Sequence, residues 1–127
     1  MKNQDPTFYL NAIAQAIYDK KGMNILALDV RGISSLTDFV IIAEGNVDKH
    51  VAAIAQAVTD KMKKLGIPPS FVEGTKTGDW VVIDFLHIMV HLFMPGLRDK
   101  YRLEQLWQEG KIVDLEISLQ PESMYTN

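Results

Sequence analysis

The chain has 127 residues, 47% of them hydrophobic and 23% charged, which is a length for one globular domain and a composition far from disorder. Thirteen Lys and Arg against sixteen Asp and Glu give a net charge of −3, which argues against a domain held on nucleic acid mainly by phosphate contacts. Zero cysteines exclude disulfides, a thiol nucleophile and thiolate zinc sites.

Met1 to Pro6 is polar and leads into an amphipathic stretch, so neither a secretory signal nor a transit peptide is expected. From Pro6 to Lys21 the spacing of Leu10, Ile13, Ala14 and Ile17 predicts a helix, with Asp5 as its cap and Gly22 as its stop. Asn24 to Val30 reads as a strand. The turn Arg31-Gly32-Ile33-Ser34-Ser35 separates it from Asp38 to Ala43, a β-branched run without alternation that suits a central strand covered on both faces. Asp48 opens the clearest helix, its stripe formed by Val51, Ile54, Ala55, Val58, Met62 and Leu65. Gly66 ends it and Pro68-Pro69 prevents its resumption.

Ser70 to Glu73 is a short strand in this reading. Trp80 to Asp84 and Ile88 to Met94 are two more, joined by a tight connection at Phe85-Leu86-His87. The run Ile88 to Met94 is far too short to span a bilayer. Leu97 to Trp107 reads as a last helix, and the tail holds one further strand candidate, Ile112 to Ile117. The order α-β-β-α-β-β-β-α predicts an α/β (α+β) fold, a compact mixed sheet of about five strands flanked by helices.

Chemistry is sparse. His87 and His91 are four apart on a strand, a span of about 13 Å, so one zinc ion with bonds near 2 Å cannot join them. His50 stands at a helix start without a paired ligand. Gly32-Ile33-Ser34-Ser35 followed by Asp38 is similar to the Gly-Ser turn and strand carboxylate of nucleotidyltransferases. That chemistry needs two carboxylates alternating on one strand to hold Mg²⁺, and the second position is Val40. Asp84 supplies only one more from another strand. No metal, cofactor or catalytic residue is therefore expected.

A surface argument carries further. Antiparallel pairing of Trp80–Asp84 with Ile88–Phe93 puts Trp80, Val82, Asp84, His91 and Phe93 on one face and Val81, Ile83, Val90 and Leu92 on the other. The first face has the aromatic and acidic composition of a binding hot spot, and the same pattern also fits burial of Trp80 and Phe93 beneath a helix.

These residues also carry a resemblance. Ala27-Leu28-Asp29-Val30-Arg31-Gly32-Ile33-Ser34-Ser35-Leu36-Thr37-Asp38-Phe39 resembles the opening signature of the ribosomal silencing factor (Iojap-like) family. Val72-Glu73-Gly74 with Gly78-Asp79-Trp80-Val81-Val82-Ile83-Asp84-Phe85 resembles its second block, and Val90-His91-Leu92-Phe93 with Arg98 to Trp107 its third. The resemblance implies a fold similar to nucleotidyltransferases without their metal carboxylates. It implies a translational repressor that binds ribosomal protein fourteen of the large ribosomal subunit and blocks joining of the small subunit when nutrients run short. No catalysis, no membrane and little direct nucleic-acid binding go with it, and it is compatible with a homodimer of the free protein in the bacterial cytoplasm. Residues 1–110 would form the family domain and 111–127 a partly disordered tail. Carried over by position, Trp80, Asp84, His91 and Phe93 would make the ribosomal contact, with Tyr101 and Leu106 as weaker members. Leu86-His87 departs from the family's Gly-Asp type turn, and Met94-Pro95-Gly96-Leu97 replaces a more acidic segment. The alternative reading is a nucleotidyltransferase-like enzyme or nucleotide-binding protein.

Overall fold

In helix α1 (Pro6–Asp19), the Asp5 carboxylate accepts the Thr7 N–H at 2.9 Å, and Pro6 occupies the first turn, where a missing N–H leaves no bond unmade. The computed structural model describes residues 5–97 and 109–119. Tyr9, Leu10, Ile13, Ala14 and Ile17 form the buried stripe. The helix stops two residues short of the expected Lys21. The left-handed residue is Lys21, at φ +64°, with its N–H on the Tyr18 carbonyl and the Gly22 N–H on the Ile17 carbonyl, each at 2.8 Å. Gly22 serves a different need, since a Cβ there would lie 2.3 Å from Ile17 Cγ2.

Helix α2 (Asp48–Lys64) closes with the same bond pattern at the same positions, but here the left-handed residue is a glycine, Gly66, and Ile67 N–H reaches the Met62 carbonyl at 2.8 Å. Strands β1 (Met23–Asp29) and β2 (Phe39–Glu44) each lie one residue from the expected bounds. Asn24, at φ +53°, sits where the β1–β2 register shifts between Met23 and Leu26. Strands β3 (Phe71–Glu73), β4 (Trp80–Asp84) and β5 (Ile88–Phe93) follow, then β6 (Lys111–Ile112).

The sheet order is β3-β4-β5-β2-β1-β6, six strands rather than about five. The extra strand comes from the tail, where Lys111 and Ile112 pair with Asp29 and Leu28. The strand expected over Ile112 to Ile117 shrinks to that pair. Beyond it Val113, Leu115 and Ile117 alternate inward, while Glu116 N–H donates to Asn11 Oδ1 at 2.8 Å and Ser118 N–H to Gln15 Oε1 at 2.6 Å. Val113 N–H still reaches the Ala27 carbonyl of β1 at 2.9 Å, and past it the backbone at Glu116 and Ser118 is bonded to side chains of α1. Strands β2 and β5 run parallel and every other pair is antiparallel.

Both described helices pack on one face of the sheet. Leu10, Ile13 and Ile17 of α1 and Ile54, Val58 and Met62 of α2 meet Ile41, Ala43, Val81, Ile83, Val90 and Leu92. On the other face Leu28, Val30, Val40, Ile42 and Phe93 form a second, smaller cluster that Trp80 and Leu97 join. The helix predicted from Leu97 to Trp107, with its candidates Tyr101 and Leu106, lies outside the described residues except for Leu97.

Candidate functional site

Trp80 opens β4 directly after the loop Gly74–Asp79, and that loop is built tightly. Gly78 N–H closes onto the Gly74 carbonyl at 2.8 Å, and the Thr77 hydroxyl donates to Asp79 Oδ1 at 2.7 Å. The same Asp79 oxygen accepts the Trp80 N–H at 3.0 Å. The Thr77 hydroxyl, helped by the two backbone N–H groups, holds the Asp79 carboxyl below the usual carboxylate range. Thr77 and Asp79 were not among the residues singled out from sequence; the Gly-Asp step immediately before a strand was the available signal.

The register places Trp80 opposite Phe93 and Val82 opposite His91, as the alternation requires. Trp80 and Phe93 stack at 5.3 Å between centroids and 28° between planes, and His91 lies at 6.2 Å and 9° from Phe93. The indole N–H donates to His91 Nδ1 at 3.2 Å. With Nδ1 accepting, the neutral ring carries its proton on Nε2. Burial pushes the imidazole down to about 4, so it is uncharged at neutral pH.

Of the expected contact residues, the structure gathers Trp80, His91 and Phe93 into one stack, but only Trp80 keeps exposed area. Phe93 is fully buried and His91 is 5% exposed. These two, from β5, pack against the indole by stacking and by the His91 hydrogen bond, and offer little surface of their own. Asp84 lies at the far end of the same strand. Its Oδ1 accepts the Leu86 N–H at 2.7 Å, so part of this carboxylate organises the β4–β5 turn.

Asp38 and Asp84, the carboxylates weighed for metal-dependent chemistry, are both engaged locally. Asp38 Oδ2 lies 3.2 Å from His87 Nδ1, and Val40, which stands where the second strand carboxylate would be needed, is fully buried. His50 is a clasp: its Nδ1 accepts the Asn46 N–H at 2.8 Å and its Nε2 donates to the Lys20 carbonyl at 2.6 Å, tying the start of α2 to the end of α1. Among the described residues no group of three His, Asp or Glu is placed to hold a metal ion, and no helix is long and apolar enough to cross a membrane.

Among the described residues the site is thus a mixed sheet with two helices on one face and, on the other, a tryptophan stacked on its cross-strand neighbours. Comparison with known proteins gives the chain a family. The family model for ribosomal silencing factor during starvation matches residues 3–126. The ribosomal silencing factor RsfS of Bacillus subtilis is 38% identical over 110 residues, covering 87% of this chain and 93% of that protein. A crystal structure of a Chromobacterium violaceum protein superposes with a TM-score of 0.80 at 30% identity, covering 91% of this chain and 95% of the other. More distantly, the mouse protein named mitochondrial assembly of ribosomal large subunit protein 1 is 26% identical, with 79% of this chain matched to 45% of that protein. The chain belongs to the ribosomal silencing factor family.

Proposed function

We propose that this protein binds the large ribosomal subunit through ribosomal protein fourteen and sterically prevents the small subunit from joining, silencing translation when nutrients are short. It acts in the bacterial cytoplasm, by occupancy and without catalysis. The observation that carries this reading is the partly exposed Trp80, stacked on buried Phe93 and hydrogen-bonded to a neutral His91. A large aromatic held rigid by its own fold loses little freedom on association, which is the character of a binding anchor. Family membership and the large-subunit name of the mouse relative support the choice of partner. The carboxylates Asp79, beside Trp80, and Asp84, at the far end of the same strand, suit a basic protein surface, giving specificity through opposite charge.

The test is subunit joining. Purified protein added to separated subunits should reduce the formation of whole ribosomes. Trp80→Ala, checked as folded by circular dichroism, should lose about 2 kcal/mol of affinity, roughly thirtyfold. Undiminished inhibition by the folded variant would remove Trp80 from the contact. Failure of the unaltered protein to affect joining would end this reading.

A further inference from the structure

The strand that begins at Trp80 ends in a turn with an unusual residue at its tip. Leu86 sits at φ +76°, a backbone conformation that disfavours a residue with a branched side chain, and 64% of its surface is exposed. Many bonds hold it there. Asp84 Oδ1 accepts its N–H, Phe85 N–H reaches the Ile88 carbonyl at 2.9 Å, and His87 N–H reaches the Phe85 carbonyl at 3.0 Å. The His87 carbonyl in turn accepts from Asp38 N–H at 3.1 Å and Phe39 N–H at 3.0 Å, and the two side chains of His87 and Asp38 pair at 3.2 Å. These bonds bring the β1–β2 loop against the tip. That loop carries two more exposed aliphatic side chains, Leu36 at 74% and Ile33 at 43%.

An exposed leucine in a strained, over-determined turn gains nothing for the fold by being leucine; asparagine or glycine would sit there with less strain. The side chain has solvent on most of its surface, so its packing does not offset that cost. Charge identifies what it meets. Asp38 and Asp84 flank the tip, while Arg31 in the same loop is held by Asp29 through bonds of 3.0 and 2.7 Å. An aliphatic spot with an acidic surround matches a basic protein surface that has an apolar patch. The half-buried stripe Trp80, Val82 and Asp84 leads along β4 straight to it.

We propose that Leu86 and Leu36 form a second anchor, seated on the same basic large-subunit protein as Trp80 and extending the contact around the end of the sheet. This rests on the function proposed above. The experiment compares the full-length protein with Leu86→Asn, Leu36→Ser and Trp80→Ala, reading melting temperature and binding to purified large subunits. Leu86→Asn should melt higher, because strain is relieved, and yet bind about tenfold more weakly. Leu36→Ser, at an exposed site, should melt unchanged and also bind about tenfold more weakly. A merely structural turn would move stability and binding in the same direction. If both leucine variants bind like the unaltered protein while Trp80→Ala does not, the second anchor is wrong and the proposed function stands. If Leu86→Asn loses stability and binding together and Leu36→Ser binds normally, the anchor is equally overturned. If the unaltered protein itself does not bind, both fall, and Trp80→Ala will be indistinguishable from it.

Discussion

His91 shows how one buried side chain ties the site to the stability of the fold. Its folded value near 4 lies below the ordinary histidine value of 6.5, because burial disfavours the charged ring. Between those two values the unfolded chain binds a proton that the folded one refuses. Stability therefore rises with pH from about 4 to about 6.5 and is complete above that window, a contribution of about 3 kcal/mol at most. Denaturant titrations at about pH 4.5 and pH 7 should show the unaltered protein losing more stability on acidification than His91→Phe, by about 2 kcal/mol. Equal losses would show that other groups carry the acid sensitivity. The pairing of Trp80 with His91 and Phe93 was legible in the sequence, since strict alternation on two adjacent strands puts them on one face. Their unequal exposure was not, because alternation specifies a face and says nothing of what lies over it.

The loop Gly74–Asp79 is the element on which Trp80 depends, and its glycines are not equivalent to others in the chain. Gly78 combines φ +72° with a close approach: a Cβ would lie 2.6 Å from the Asp48 carbonyl oxygen at the start of α2. Gly32 has φ +82° but nothing within 4 Å of a Cβ. Gly78→Ala should therefore cost about 3 kcal/mol, from backbone strain plus displacement of α2, whereas Gly32→Ala should cost about 1 kcal/mol from strain alone. Thermal or denaturant unfolding of the two variants checks the difference, and similar losses would deny Gly78 its packing role. Helix α2 and strand β4 were readable to the residue or nearly so, since each has a strong period and punctuating Gly, Pro or Asp. The end of α1 was misplaced by assuming that the glycine takes the left-handed position. Lys21 takes it, because Gly22 is needed where the chain presses on Ile17.

Across the whole molecule the sheet ends in two short edges, the three residues of β3 and the two of β6, which present little backbone for edge-to-edge pairing. On β4 and β5 the aromatic rings of Trp80, His91 and Phe93 share one face, and of the three only Trp80 is partly exposed. Local engagement of Asp38 by His87 and of Asp84 by the Leu86 N–H bears on the enzyme alternative. Millimolar Mg²⁺ with ATP or CTP should leave the melting temperature unchanged, because a ligand stabilises only a native state that binds it. A clear shift, lost in Asp38→Asn, would restore nucleotide chemistry as the better account.

Composition, periodicity and turn residues were enough to specify an α/β domain, its two clear helices, the hairpin of β4 and β5 and the absence of a second strand carboxylate at Val40. These are local properties, written within a few residues of where they act. The parallel pairing of β2 with β5, the addition of Lys111–Ile112 to the far edge and the grouping of both described helices on one face depend on contacts between distant segments. So do the clasp of His50 on Lys20 and the meeting of His87 with Asp38. Long-range packing selects among many locally acceptable arrangements by burying apolar area and satisfying backbone groups together. No window of sequence contains both partners of such a contact.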